Sequence, residues 1–190
     1  MWRGAILAVA ALAACSPSDR SQLEAASAPP VMRWDHRPEA AQWTQTTLSA
    51  LETYGAALPA LEPADIAEWC PGYPDAGAAD RRSFWAGLLS ALAKHESTWN
   101  PKAVGGGGLW IGLVQIDPRT ARGYDCDART AAELKDGAAN LSCAVRIAAS
   151  QVPKRGTVSR GMRDWGPFHD PRKRAEMSAW TSAQPYCSAS

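Results

Sequence analysis

The strongest helical pattern in this chain runs from about Ala79 to Ser97, and its apolar face ends in a carboxyl group. Apolar side chains recur there at three- and four-residue spacing, which places them on one face of an α-helix. That face comprises Phe84, Trp85, Leu88, Leu89 and Leu92, and the next position on it is Glu96. Pro101 then closes the segment, because the residue before a proline disfavours helical backbone. Any fold of this chain must bury the helix and accommodate the glutamate at its end.

Glu96 lies where a carboxyl group tends to keep its proton. Burial disfavours the charged form, and the negative end of the helix dipole disfavours it too, so both effects raise the pKa. A carboxyl group that is protonated near neutral pH is what a general acid needs. The alternative is a structural Glu96 that pairs with an arginine at the edge of the core.

The rest of the chain is also predominantly helical, so the predicted fold class is mainly α. Helical patterns cover about 39–58, 136–152 and 172–182, and no stretch alternates as a half-buried strand would. The chain has 190 residues, of which 46% are hydrophobic, enough for one domain with a packed core. It has 20 Lys and Arg against 19 Asp and Glu, without a long basic run, which argues against nucleic acid as a partner.

The first 14 residues are typical of an export signal. Arg3 precedes a short apolar run, Ala5 to Ala14, which is too short to span a membrane. Its end, Leu12-Ala13-Ala14-Cys15, resembles the lipobox of bacterial lipoproteins, and this implies cleavage before Cys15 and lipid attachment to it. In such lipoproteins a serine after the cysteine, here Ser16, implies the outer membrane. The alternative is an ordinary secretory signal with a chance cysteine.

Four cysteines remain once Cys15 is set aside, and an even number in an exported chain predicts two disulfides. Three pairings are possible. We favour a local Cys126–Cys143 bond and a long-range Cys70–Cys187 bond that ties the C-terminal segment back. A metal site is the alternative, but the sequence has no CxxC pair and no histidine at ligand spacing.

Three short motifs near Glu96 resemble those of the lytic transglycosylases of the soluble, lysozyme-like superfamily. Their order along the chain matches the family, and together they span 25 residues, Glu96 to Thr120. The motifs are Glu96-Ser97, Asn100-Pro101-Lys102-Ala103, and Gly112-Leu113-Val114-Gln115-Ile116 leading to Pro118-Arg119-Thr120. A weaker resemblance continues to about Val152, so about half of the chain is covered.

The resemblance implies a small helical lysozyme-like domain with a groove that binds peptidoglycan glycan strands. It implies cleavage between N-acetylmuramic acid and N-acetylglucosamine by one carboxyl group, Glu96, acting as acid and then as base. The muramoyl 6-hydroxyl would close onto the anomeric carbon and give a 1,6-anhydro product without a cofactor or metal. A goose-type lysozyme, which uses water instead, is an alternative; it would want Asp117 or Asp125 near the groove.

Five further residues are candidates for substrate binding, each with a structural alternative: Ser97, Trp110, Gln115, Asn140 and Trp165. Ser97 lies near the sugar in the family, but it could instead bond the last helix carbonyls. Gln115 stands between apolar residues, so its amide needs partners, and we favour substrate binding or orientation of Glu96. Trp110 offers an apolar face to a sugar ring, or it packs in the core. Asn140 matches a structural asparagine of the family, and His95 is expected on the helix surface.

One departure from the family leaves a non-enzymatic alternative. Its catalytic domain usually ends in a Tyr-Asn-x-Gly segment, which is missing here, and Trp165 stands at the corresponding place without a hydroxyl group. A lipoprotein that binds peptidoglycan without cutting it would tolerate that loss.

The predicted domain organisation has four parts: a signal peptide (1–14), a lipidated tether (15–38), a helical extension (39–78) and a transglycosylase-like domain (79–187). We predict that the protein is a monomer, is anchored by Cys15 and is located in the periplasm.

Overall fold

A computed structural model describes residues 29–188, and their architecture is almost entirely helical. Residues from Val31 onward form one structural unit. The helices are α1 (Ala40–Glu52), α2 (Ala57–Ala60), α3 (Ile66–Trp69), α4 (Ala78–Ser97), α5 (Pro118–Gly123), α6 (Gly137–Arg155), α7 (Val158–Gly161) and α8 (Pro171–Ser182). Short 3₁₀ turns lie at Tyr73–Asp75, Gly106–Gly108, Glu133–Lys135, Gly166–His169 and Pro185–Cys187. The predicted mainly α fold class is confirmed.

Helix α4 is the centre of the core, and it is buried on all sides over residues 83–93. Small residues allow its neighbours to approach closely. A Cβ atom on Gly87 would stand 2.1 Å from the Tyr186 hydroxyl oxygen, so the C-terminal segment lies directly against the helix. Helices α1, α2 and α8 also pack against α4. Glu96 lies beyond the fully buried residues, where the C-terminal end of α4 emerges from this core.

Helices α1 and α6 form the other large packing contact of the fold. Gly137, at the start of α6, lies against the Trp43 indole, where a Cβ atom would come within 2.4 Å of its nitrogen. Large aromatic side chains fill the core between the helices, and the fully buried ones include Trp34, Trp43, Trp69 and Trp85. Much of the tryptophan excess of the sequence therefore serves packing.

The N-terminal segment before α1 is built into the domain. Met32 and Trp34 are 2% and 0% exposed, and the Trp34 Nε1–H donates to Thr44 Oγ1 at 2.9 Å. The region predicted as a tether up to residue 38 is therefore packed over its last residues. The predicted signal peptide and the lipidation site Cys15 lie outside the described residues. Within 29–188, no helix is long and apolar enough to cross a membrane.

Both favoured disulfides are present. Cys70 and Cys187 are bonded with their Cα atoms 4.6 Å apart, and Cys126 and Cys143 with theirs 5.1 Å apart. The first joins the end of α3 to the segment after α8, across 117 residues of sequence. The second joins the loop after α5 to α6.

A small β-hairpin contradicts the expectation that the chain has no strand. Strands β1 (Val104–Gly105) and β2 (Trp110–Ile111) pair antiparallel, with Gly105 opposite Trp110. Strands of two residues are too short to show alternation in the sequence. The turn between them needs its glycines, because Gly106, Gly107 and Gly108 all have positive φ, at 54°, 66° and 103°.

Candidate active site around Glu96

Helix α4 ends abruptly just after Glu96. Thr98 and Trp99 both adopt left-handed backbone, with φ of 53° and 55°. Their backbone N–H groups donate to Lys94 and Ala93 carbonyls at 3.1 and 3.2 Å, which closes the helix end. Left-handed conformation is rare for residues with a side chain, and for a β-branched threonine especially so. The chain turns away at this point, and Glu96 is left in the last turn of a buried helix.

The Glu96 carboxyl group is part-buried, and no hydrogen bond or ion pair from residues 29–188 reaches it. Burial raises the pKa of Glu96 from 4.5 to about 7, while the positive charge of Lys173 on α8 lowers it in part. This is the environment that the sequence pattern predicted. An arginine partner, the structural alternative, is not found among the described residues. A carboxyl group with this pKa can donate a proton near neutral pH and take it back.

Ser97 connects the end of α4 to the turn that carries Gln115. Its hydroxyl donates to the Leu113 carbonyl at 2.8 Å, and the Ala93 carbonyl lies at 3.3 Å. The shorter bond joins two segments that are 16 residues apart in sequence. Ser97 therefore fixes the position of Glu96 relative to that turn, whatever it contacts in a complex.

Gln115 lies in a turn beneath the hairpin. Its backbone is left-handed, with φ of 50°, and Gly112 at the start of the turn has φ of 83°. The side-chain Nε2 donates to the Gly112 carbonyl at 2.8 Å. A Cβ atom on Gly105 would stand 2.4 Å from the amide oxygen Oε1, so a side chain at this position would displace the Gln115 amide. The turn and the hairpin hold the Gln115 amide in a defined orientation.

Trp110 is 52% exposed, an unusual exposure for so large an apolar side chain. Its indole lies over Gly106, where an added Cβ atom would come within 2.7 Å of the ring. The neighbours Val104 and Leu109 are 52% and 48% exposed. The hairpin thus presents an apolar surface to solvent, and the Trp110 ring is part of that surface.

A small cavity of about 80 Å³ brings together three of the five candidate binding residues, Trp110, Gln115 and Trp165. Its other lining residues are Ile116, Asp117, Thr120, Ile147 and Asp164. Glu96, Ser97 and Asn140 are not part of its lining.

Trp165 and Asn140 are more buried than side chains that only bind a ligand need to be. Trp165 is 4% exposed, and its Nε1–H donates to the Val114 carbonyl at 2.9 Å. Asn140 is 0% exposed; its Oδ1 accepts from Val114 N–H at 3.0 Å, and its Nδ2 donates to Ile111 and Leu134 carbonyls at 2.9 and 3.1 Å. Both side chains anchor the segment that runs from the hairpin to Gln115.

A hydrolase would need either Asp117 or Asp125 near the groove, and the two aspartates differ in position. Asp117 lines the cavity next to Gln115 and caps α5, accepting the Arg119 N–H at 2.7 Å. Hydrogen bonds from Arg119 hold the pKa of Asp117 below its usual range, so it is ionised. Asp125 carries a side chain that is 89% exposed and stands 4.0 Å from Arg129. Of the two, Asp117 is the one beside the candidate site.

A cluster of charged residues next to Glu96 was not foreseen. The Glu176 carboxylate on α8 accepts from Arg33, Lys94 and His95, and we call these four residues the Glu176 cluster. The expectation of a surface His95 is wrong, because its side chain is only 14% exposed and bonds Glu176 Oε2 at 2.7 Å. No local pattern could reveal it, since Glu176 is 81 residues from His95 and 143 from Arg33.

The described part of the chain has no group of three or more His, Cys, Asp or Glu side chains placed to hold a metal ion. The functional groups around the candidate site are the Glu96 carboxyl group with its raised pKa, the Gln115 amide, the Ser97 hydroxyl group, the ionised Asp117 carboxylate and the exposed Trp110 ring. This set suits proton transfer to a neutral polyhydroxylated ligand.

Comparison with known proteins finds a family match over the segment that carries the candidate site. The sequence model of the family described as Transglycosylase SLT domain matches residues 76–160, which include Glu96, the hairpin and Gln115. Two mutants and a wild-type form of the protein Bd0314 DslA have similar structures, with 25% identity over 85% of this chain and 100% of each of those chains. Their TM-scores are 0.76, 0.75 and 0.75. A search of curated proteins finds no match. Residues 76–160 are therefore similar in sequence to the transglycosylase SLT domain, and the chain has a lysozyme-like helical fold.

Proposed function

We propose that this protein is a peptidoglycan lytic transglycosylase that cleaves the β-1,4 bond between N-acetylmuramic acid and N-acetylglucosamine, with Glu96 as its single acid and base. The observation that carries the proposal is the environment of Glu96. Its carboxyl group has a pKa raised by burial to about 7, has no hydrogen-bond partner within 29–188, and lies inside the segment that matches the SLT domain.

The proposed reaction needs no group that the site lacks. Glu96 donates its proton to the glycosidic oxygen as the bond to the anomeric carbon breaks, and the leaving sugar departs as an alcohol. The 6-hydroxyl oxygen of the muramoyl unit bonds to the anomeric carbon, and the Glu96 carboxylate accepts the proton of that hydroxyl. The product is a 1,6-anhydromuramoyl end, and Glu96 returns to its protonated form. Most glycosidases use two carboxylates, but substrate-assisted routes that dispense with one are known.

The remaining candidates would position the glycan. The exposed Trp110 plane suits the C–H face of a sugar ring, and the oriented amide of Gln115 suits its hydroxyl or acetamido groups. Ser97 would keep Glu96 in register with Gln115 through its bond to Leu113. Asn140 and Trp165 would support the same segment from within the core.

A hydrolase of the goose-type lysozyme class is the second candidate, and the position of Asp117 favours it. Asp117 is ionised and lines the cavity that contains Trp110 and Gln115. An ionised carboxylate near the reacting sugar could hold a water molecule for attack on the anomeric carbon. The product would then be a reducing end, heavier than the anhydro form by one water molecule.

We also propose that Cys15 carries lipid and anchors the protein, as a monomer, to the periplasmic face of a membrane, with the outer membrane favoured. The support is the Leu12–Cys15 motif and the serine after it. Mass spectrometry of the N-terminal peptide from the membrane fraction should then find Cys15 as the first residue, with acyl chains attached. An unmodified Cys15 inside a longer peptide would show that the lipid anchor is wrong.

The decisive experiment is mass spectrometry of soluble products after purified, unlipidated protein has been incubated with peptidoglycan sacculi. Anhydromuramic ends support the transglycosylase, and reducing ends support the hydrolase. Glu96→Gln should abolish cleavage and keep binding to sacculi, while Glu68→Gln, at an exposed carboxyl group, serves as the matched control. Binding without any product from the parent protein would instead indicate a non-catalytic peptidoglycan-binding lipoprotein.

A further inference from the structure

The Glu176 cluster fixes α8 against the end of α4. One carboxylate accepts from three side chains: Arg33 Nη1 at 2.8 Å, Lys94 Nζ at 2.7 Å and His95 Nε2 at 2.7 Å. The bond from Arg33, followed by those from Lys94 and His95, holds the pKa of Glu176 far below its usual range. Glu176 is therefore charged at any pH of interest, and the cluster joins α8, α4 and the N-terminal segment.

This arrangement packs the N-terminal half of α8, which carries Lys173, against the last turn of α4, which carries Glu96. Lys94 and His95 directly precede Glu96 on α4, so their bonds place Glu176 at the last turn of that helix. Lys173 is three residues before Glu176, and residues with that spacing share one face of a helix. Asp170 caps α8 and accepts the backbone N–H of Lys173 at 3.3 Å, which fixes the first turn.

The charges around Glu96 leave Lys173 with a distinct role. Arg33, Lys94 and His95 all bond the Glu176 carboxylate, so the charges of Arg33 and Lys94 are partly neutralised. Lys173 makes no ion pair, and its side chain no hydrogen bond, with residues 29–188. Its charge acts on Glu96, where it opposes the effect of burial on the pKa. Lys173 and Glu176 both lie beyond residues 76–160, so the family match does not include them.

We propose that Lys173 is a positioning residue whose ammonium group stabilises the Glu96 carboxylate that remains once the proton has passed to the glycosidic oxygen. This inference rests on the proposed function. Lys173 keeps its own protons throughout, and the proton moves only between Glu96 and the substrate oxygens. A buried carboxyl group alone would be a reluctant donor, because its ionised form is poorly solvated. The neighbouring cation makes Glu96 a stronger acid without giving it a direct partner that would hold it ionised.

The first test is a titration of Glu96 that does not depend on activity. Glutamate side chains labelled with ¹³C are followed by NMR against pH, and Glu96→Gln identifies the Glu96 signal. In Lys173→Met the midpoint should move to higher pH, and in Lys173→Arg it should return towards the wild-type value. Arg172→Met, at an exposed neighbour on α8, removes the same charge and should leave the midpoint close to wild type.

The second test is the pH profile of peptidoglycan cleavage by the same variants. Lys173→Met should lower kcat more than it changes KM, and the alkaline limb of kcat should move to higher pH. A midpoint that does not move in a Lys173→Met protein of normal melting temperature overturns the inference; Lys173→Gln replaces it if the methionine variant fails to fold. A shifted midpoint in a protein that cleaves nothing upholds the Lys173–Glu96 coupling and counts against the proposed function instead.

Discussion

At the residue scale, Glu96 combines a functional advantage with a cost to the fold. Its pKa of about 7 means that the folded protein binds this proton more tightly than the unfolded chain, whose glutamates titrate near 4.5. The stabilisation is complete below about pH 4.5 and is lost as the pH rises through 7. Above that pH, a charged and part-buried carboxyl group remains without a partner among residues 29–188.

Replacing Glu96 by glutamine should therefore stabilise the protein at alkaline pH. A pKa change from 4.5 to about 7 corresponds to at most about 3 kcal/mol, because one pKa unit is about 1.4 kcal/mol. We expect Glu96→Gln to raise the melting temperature by several degrees at pH 8 and to leave it nearly unchanged at pH 4. Thermal unfolding followed by circular dichroism measures both values. An equal effect at the two pH values would mean that Glu96 is not held neutral by the fold.

At the element scale, the hairpin of β1 and β2 exposes apolar side chains on a surface that is ordinarily polar in a folded protein. Residues Val104, Leu109 and Trp110 are each about half exposed, and the glycine turn joins them. Trp110 also lines the cavity with Gln115, whereas Leu109 does not. The effects of replacing Trp110 and Leu109, which are similarly exposed, can therefore be compared directly.

Trp110→Ala should weaken binding to glycan strands by roughly tenfold, which is about 1.4 kcal/mol. The free energy of unfolding should fall by less than about 1 kcal/mol, because the side chain is half exposed and contributes little to the core. Leu109→Ala is the matched control and should leave the affinity nearly unchanged. Co-sedimentation with sacculi and urea denaturation give the two quantities. A large loss of stability with normal binding would assign Trp110 to packing alone.

At the scale of the whole molecule, local features could be predicted from the sequence, and the cysteines also indicated the long-range Cys70–Cys187 bond. Other side-chain contacts between distant segments could not be predicted. Helices α4 and α8 begin within one residue of the predicted starts, because their apolar spacing and flanking prolines are local signals. The environment of Glu96 follows from its place on the α4 face. The Glu176 cluster and the depth of Trp165 depend on how α8 and the segment after α7 fold back, and no periodicity encodes that.

The two disulfides should contribute unequally to the stability of the whole domain. Cys70–Cys187 closes a loop with a sequence separation of 117, and Cys126–Cys143 one of 17. In the chain-entropy model these correspond to about 5 and about 3 kcal/mol. We expect the Cys70→Ala/Cys187→Ala protein to lose more stability in urea than the Cys126→Ala/Cys143→Ala protein. Equal losses would show that local strain or residual structure, rather than loop length, sets the contributions.

The left-handed residues that follow Glu96 in the sequence have a consequence for how the site works. Thr98, Trp99 and Gln115 each hold a conformation that costs about 1–3 kcal/mol, and the Ser97–Leu113 bond links the two turns that contain them. Such backbone persists only because the buried α4 and the Asn140 anchor hold it in place. The unfavourable energy is incurred once, when the chain folds, and not in each turnover. The site is thus preorganised. The Glu96 carboxyl group and the Gln115 amide are held in place before a ligand binds, so the reaction itself requires little reorganisation.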